Sequence, residues 1–364
     1  MPDAAREVLA HIATVTDMTA AFADEDRCRR LLETMVWPRG RLCPACGYKG
    51  SVALAGRDLG RRARPGLYQC SNGLCRFQFT ATTRTPLHAT KLPLRVWLTA
   101  LWLILQSDKG ISSVRLAELI GVSQPTAWRM GHALRLLLTR EHLLEGTVEV
   151  DEFYLGGSPR KDADQPRLGR GRKGQPRTAK KPVLAVVQRP VEAHEGTAAG
   201  DARARVVADL SEREVRRVLA EHVDTSAHLM SDEWKAFVSI GQAFAAHDTV
   251  RHSKREGARG PVHANSAEGF TDRVRRVVTG VFHHISPQHA DLYLNEIGFR
   301  WSQRLITGHA VRRTRKGREV VKPLWSRIAP ALQLPAVFRS AVGRQLRRTA
   351  QGGIQVRCAV AVFG

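Results

Sequence analysis

Three carboxylates, Asp151, Asp232 and Glu268, stand in the contexts that a divalent-cation site requires. The first two end apolar strand-like runs, and the third opens a helix-like segment, with 35 residues between it and Asp232. Carboxylates converging from two strand ends and a helix can hold two divalent ions about 3.5–4 Å apart, the arrangement that drives in-line displacement at phosphorus. In Thr147-Val-Glu-Val-Asp-Glu-Phe-Tyr154, alternation puts Val148 and Val150 on one face and Glu149 with Asp151 on the other. Asp151 is then expected near the carboxyl end of its strand, with Gly156-Gly157 turning the chain after it. In Ala227-His-Leu-Met-Ser-Asp232 a second carboxylate closes a strand, where α/β sheets bind ligands. Glu152 and Glu233 neighbour the chosen acids and are expected to point elsewhere or to support them. After His263, a helical stripe carries Asn265, Glu268, Asp272 and Arg275, beside an apolar face of Ala267, Phe270, Val274 and Val277. Taken singly, each acid reads equally as a cap or a surface residue.

A second set of residues could bind a softer ion. Cys43-Pro-Ala-Cys46 and Cys70-Ser-Asn-Gly-Leu-Cys75 form two thiol pairs separated by 23 residues, each on a turn that Pro44, Gly47 or Gly73 permits. The pattern predicts a closed, structural Zn²⁺ site that staples a ribbon too small to bury much surface. Four unrelated buried cysteines are the alternative. Cys28 and Cys358 stand alone and read as core residues.

Ile111–Leu136 reads as a helix-turn-helix: Val114, Ala117 and Leu119 make one face, Gly121 permits the turn, and Ser123 caps a second helix with Trp128, Arg129, His132 and Arg135. The start of that second helix would enter a major groove, which puts Gln124, Thr126 and Arg129 near bases. A plain packing hairpin is the alternative.

These groups need elements to hold them. Residues 1–40 read as one or two helices, 41–90 as the ribbon, 91–142 as the helical DNA-binding region, 145–304 as an α/β domain and 305–364 as a basic tail with some helical spacing. Within the α/β region, strands are expected at 148–155, 182–189, 203–209 and 226–231, with helices at 210–222, after Asp232 and after His263. The loop 158–182, with Arg170, Arg172 and Lys173 among Gly, Pro and Gln, reads either as a segment that orders on phosphate or as a solvated hairpin tip. Lys+Arg number 57 against 34 Asp+Glu, a formal charge of +23, which points to a polyanionic partner rather than a small-molecule substrate. Ribosomal and chromatin proteins share that charge. The acidic N-terminus does not read as a signal peptide. The apolar run Val96–Leu105 is about half of what a bilayer span requires, so a cytoplasmic, nucleoid-associated protein is expected without a membrane partner.

The motifs together carry a resemblance. Val-Glu-Val-Asp151-Glu-Phe-Tyr-Leu-Gly-Gly, Ser-Asp232-Glu-Trp, His263-Ala-Asn265-Ser-Ala-Glu268 and Tyr293-Leu-Asn-Glu296-Ile-Gly-Phe-Arg300, downstream of the cysteine pairs, resemble bacterial insertion-sequence transposases of the ISXO2-like type. The resemblance spans roughly residues 20–304. It implies an RNase H-like DDE catalytic domain behind a zinc ribbon and a helix-turn-helix. It also implies that Asp151 and Asp232 bind Mg²⁺ or Mn²⁺ in a two-ion site. Glu268 is the choice for the third ligand, because a carboxylate suits a hard cation better than an amide. Asn265 is the alternative. Arg275 lies where the family often has Lys, and His-Ala-Asn stands for His-Thr-Asn. His252 and His263 are auxiliary candidates near the scissile phosphate. The implied partner is double-stranded DNA, both transposon ends and target, bound by at least two copies of the chain. A domesticated DNA-binding regulator and a nuclease without strand transfer are the rival readings.

Overall fold

The computed structural model describes residues 9, 11–54, 65–156, 180–191, 194–250, 258–313, 317, 319–338, 341–348 and 354–358. The chain divides into two compact units, one of residues 1–139 with 328–364 and the other Arg140–Arg327.

The first unit begins with helices Val15–Ala21 and Glu25–Val36. Thr14 and Asp17 form a reciprocal capping box at the start of the first, and Asp24 caps the second. A three-stranded antiparallel ribbon follows, β1 (Ser51–Ala53), β2 (Tyr68–Cys70) and β3 (Gln78–Phe79). Trp37 packs edge-on against Tyr68 of β2 and Phe79 of β3, whose rings are tilted against each other. Helix Leu94–Gln106 is apolar nearly all round and accordingly buried, with Trp97, Leu98, Leu101, Trp102 and Leu105 in the core. Helices Ser113–Ile120 and Gln124–Leu137 complete the N-terminal part.

The second unit is built on a five-stranded mixed sheet: β4 (Thr147–Leu155), β5 (Lys181–Gln188), β6 (Ala202–Val206), β7 (His228–Asp232) and β8 (Ala246–Val250), in the order β6-β5-β4-β7-β8. The first three strands pair antiparallel, and β4, β7 and β8 run parallel. This is an RNase H-like α/β arrangement. Both faces are covered. Helix Glu212–His222 and helix Lys235–Gly241 pack Val215, Val218, Leu219, Phe237 and Ile240 against Val148, Val150, Leu184 and Val186. On the other face, helices Asn265–Val277 and Pro287–Ser302 bury Ala267, Phe270, Val274, Leu294 and Ile297 against Phe153, Val183, Ala185 and Val187. Gly298 lets the last helix approach β6 closely: a Cβ there would lie 2.5 Å from the carbonyl oxygen of Ala202.

The place of Asp151 within its strand departs from the expected one. Asp151 sits in the middle of β4 rather than at its end, because Glu-Phe-Tyr-Leu continues the ladder with β5 to Leu155 opposite Lys181. Beyond the sheet, residues expected as a tail with helical spacing form a long antiparallel hairpin, β9 (Arg304–Arg313) with β10 (Glu319–Arg327). Helix Pro330–Phe338 and a second hairpin, β11 (Arg344–Arg348) with β12 (Ile354–Cys358), then belong to the first unit.

Candidate active centre and zinc ribbon

The first two acids lie on neighbouring strands. β4 and β7 are parallel, with Val148 opposite Leu229 and Glu149 opposite Met230, and Asp151 and Asp232 each lie two residues past that last pair, close enough for the charge of Asp232 to act on Asp151. Helix Asn265–Val277, packed on the sheet face that holds Phe153, carries Glu268 in its first turn. Thr271, one turn further on, donates its hydroxyl to Asp151 Oδ2 at 3.2 Å. Asp232 is also held from its own chain, its Oδ1 accepting from the N–H of Trp234 at 3.0 Å.

Charge crowding marks the site. Burial, with Glu268 and Asp232 nearby, pushes the Asp151 carboxyl up to about 6, against the opposing bond from Thr271. Glu152 is pushed up to about 7, by burial first and then by Asp232 and Asp151. Its Oε2 is buried without a hydrogen-bond partner. Of the two readings its sequence position allows, pointing elsewhere or supporting the neighbouring acids, Glu152 therefore fits the second. Crowded carboxylates with an unmet acceptor fit a site that takes divalent cations.

Glu149 has a different setting. It is fully buried and accepts from the N–H groups of Ser266 (2.6 Å) and Ala267 (2.9 Å) at the start of the Glu268 helix. Arg189 pairs with the same carboxylate, and His263 Nδ1 lies 3.3 Å from it. His263, expected near the scissile phosphate, is thus tied to Glu149 and Arg189. Burial first, then Arg189, lowers its pKa. Asn265 is exposed at the first position of the helix. Arg275 is exposed and paired with Asp272 at 3.3 Å. His252, Arg170, Arg172 and Lys173 lie outside the described residues.

The cysteines of the ribbon converge as their spacing predicts. Sγ atoms of Cys43 and Cys75 are 3.9 Å apart and those of Cys46 and Cys70 3.7 Å apart, and all four lie within 4.8 Å of one another. Tetrahedral thiolate around Zn²⁺, with Zn–S near about 2.3 Å, requires sulfur separations of this size. Gly47, at φ 73°, turns the first knuckle, and its N–H donates to the carbonyl of Cys43. The N–H of Tyr48, aimed at Cys46, lowers that thiol to about 7.

Residues 143–302 match the ISXO2-like transposase domain, and residues 23–78 match the transposase zinc-ribbon domain. The chain belongs to the ISXO2-like transposases. A protein of the transposable element ISH50 from Halobacterium salinarum, itself described as uncharacterized, is 28% identical over 262 residues, covering 70% of this chain and 83% of that protein. A chain of the Mos1 strand transfer complex crystal structure aligns with 56% of this chain and 75% of its own length, at 13% identity and a TM-score of 0.18.

The transposase also has the helical pair, but Leu116 and Ala117 rather than Val114 and Leu119 are buried on the first helix, and the Ser123 side chain makes no capping bond to the second. Ser112 caps helix Ser113–Ile120, Gly121 ends it at φ 67°, and Pro125 stands in the first turn of helix Gln124–Leu137. Gln124 and Arg129 are exposed and Thr126 is half-buried. Gln124 Nε2 donates to Ser113 Oγ at 2.8 Å, which fixes the two helices at the turn. His132 and Arg135, further along the second helix, are buried in the unit's core. No described helix is long and apolar enough to cross a membrane.

Proposed function

We propose that this transposase binds the terminal inverted repeats of its element, cuts at the ends, and joins the freed 3′-hydroxyl to target DNA. What supports the reading is that Asp151 and Asp232 each lie two residues past the last pair of the parallel strands β4 and β7, with the Glu268 helix bonded to Asp151 through Thr271. Asp151, Asp232 and Glu268 would hold two Mg²⁺ or Mn²⁺ ions, which when bound supply Lewis acidity and charge neutralisation at phosphorus. In cleavage, a water oxygen bonds to the scissile phosphorus and the bond to the 3′ oxygen breaks, leaving a 3′-hydroxyl. In transfer, that hydroxyl takes the place of water at a target phosphodiester. The protein's part is to orient the acids and to hold the DNA ends. Gln124, Thr126 and Arg129 would meet base edges, and Arg170, Arg172 and Lys173 would neutralise phosphates. The ribbon would bind structural Zn²⁺ through Cys43, Cys46, Cys70 and Cys75. Synapsis of two ends calls for at least two copies on DNA.

The test is Asp151→Asn on a duplex bearing an element end. End binding should persist and cleavage should be lost; equal cleavage by the variant overturns the assignment. Joining of a pre-cut end to plasmid separates transposition from simple nuclease action, and duplex binding without cleavage by the unaltered chain would indicate a regulator.

A further inference from the structure

We propose that Glu149 is a positioning residue for the metal-binding acids: a cap, supplied by β4, for the helix that presents Glu268. The inference rests on the two-ion reading and assigns a role to a residue outside its ligand set.

The helix needs such a cap. Its own N-cap residue is Ala264, which has no side-chain acceptor, so the first-turn N–H groups must find one elsewhere. Glu149 Oε2 takes two of them, from Ser266 at 2.6 Å and Ala267 at 2.9 Å. Its other oxygen takes Arg189 Nε. A carboxylate at a helix N-terminus also meets the positive end of the helix dipole. Arg189 extends the grip to the segment entering the helix, donating to the carbonyl oxygens of Pro261 and His263, both at 2.7 Å. A fully buried anion is tolerated because the N–H groups of Ser266 and Ala267 and the Arg189 guanidinium all donate to it.

The placement of the cap is what ties it to function. Glu149 and Asp151 share one face of β4, two residues apart, and Glu268 directly follows the capped residues Ser266 and Ala267. Thr271 fastens the next turn to Asp151 at 3.2 Å. The helix is therefore pinned to β4 on both sides of Glu268. Its body is held separately, by Phe270, Val274 and Val277 in the core. Loss of Glu149 should loosen the first turn, and with it Glu268, while the helix stays docked.

The experiment uses the full chain, zinc-loaded and free of DNA. Mn²⁺ binding is followed by electron paramagnetic resonance of the free ion, for the unaltered chain, Glu149→Gln and Glu149→Asp. Gln keeps the shape but presents an amide to donors. Asp keeps the charge that Arg189 requires but withdraws it from the helix. The expected result is Mn²⁺ affinity lowered about 10–100-fold in Glu149→Gln, the range for residues that support metal ligands, with an intermediate loss in Glu149→Asp. Duplex affinity should stay within about twofold, since the groups proposed to contact DNA are untouched. Superimposable Mn²⁺ isotherms overturn the proposal. If circular dichroism shows that Glu149→Gln does not fold, Glu149→Asp decides: weaker Mn²⁺ binding supports the proposal and unchanged binding overturns it. Asp151→Asn in the same titration separates the two levels. Lost binding there with unchanged binding in the Glu149 variants rejects only the positioning role, whereas unchanged binding in Asp151→Asn rejects the two-ion reading and the role with it.

Discussion

The hydroxyl of Thr271 donates to Oδ2 of Asp151 at 3.2 Å, and so joins the strand of the first acid to the helix of the third. Thr271 is itself buried. The bond ties the helix to the strand through a residue one turn beyond Glu268, whose side chain is exposed.

The third ligand can be decided by two substitutions on that helix. Glu268→Gln should lower single-turnover cleavage of an end-bearing duplex by more than about 100-fold, beyond what loss of a supporting residue costs. Asn265→Ala should lower it by less than about tenfold. The reverse order of losses would move the assignment to Asn265.

Removal of zinc should undo the ribbon. Its core is small, with Cys43, Tyr68, Cys70 and Phe79 buried together, so a bound ion would contribute much of the folding energy. Cys70→Ser, or chelation, should take bound zinc, measured by atomic absorption, from one ion per chain to none and weaken binding to the element end. Full end affinity in a zinc-free chain would contradict this.

Arg129 should behave as a DNA contact. Arg129→Ala should weaken end binding by about 1–3 kcal/mol if the guanidinium reads a base, or lower the salt slope of binding by about one if it meets a phosphate. Fluorescence anisotropy at several salt concentrations distinguishes the two. Unchanged affinity and slope would leave the helical pair as packing only.

Much of the sheet was legible because burial writes itself into the pattern. β4 and β5 were expected within one residue of where they lie, since Val148, Val150, Val183 and Val186 must be apolar to sit between two helical layers. β8 was not expected: Ala-His-Asp-Thr-Val is an edge strand, half-exposed, and its polar side chains give no periodicity. The β9–β10 hairpin was missed for a related reason, as its residues are mostly exposed on both faces. In the site, alternation placed Glu149 beside Asp151, but nothing local to Glu149 indicates that its partners lie more than a hundred residues away at Ser266 and Ala267. Glu152 shows the opposite case: alternation turns it away from Asp151, while its charge still couples to Asp232 on the neighbouring strand.

Acid should weaken the second unit through His222. Burial first, then Arg205, Arg203, Arg217 and Arg140, lowers this imidazole from an ordinary 6.5 to about 4. The unfolded chain therefore takes up a proton before the folded chain does. Stability from this group is complete above pH 6.5, is lost as pH falls from 6.5 to 4, and changes no further below that. The loss amounts to at most about 3 kcal/mol. Urea unfolding of the unaltered chain and of His222→Gln should show a stability difference that shrinks across that window; a constant difference would refute it.

Asp201 should be among the costliest residues to replace. It joins Arg140, Arg203 and His142, with Arg203 Nη1 at 2.5 Å and His142 Nε2 at 2.9 Å. Burial alone would raise its pKa, but Arg140, His142 and Arg203 outweigh it and hold the carboxyl well below the usual range. Asp201→Asn strands two buried guanidinium groups and should destabilise the unit by about 3–5 kcal/mol, seen as a lower Tm. A Tm within a degree of the unaltered chain would show that the arginines find other anions.

The unit that contains the ribbon and helical pair is assembled from both ends of the chain. Gly343 donates to the carbonyl of Arg84 at 2.7 Å and Arg344 to that of Thr139 at 3.0 Å, while Leu334 and Phe338 are buried within the same unit. During synthesis the acid-bearing sheet, residues 140–327, emerges whole before the residues that finish the other unit are translated. A premature stop after residue 327 would thus yield a polypeptide that keeps the whole acid-bearing sheet while the unit holding the four cysteines is left unfinished, an allele that separates the two units by reading-frame position alone.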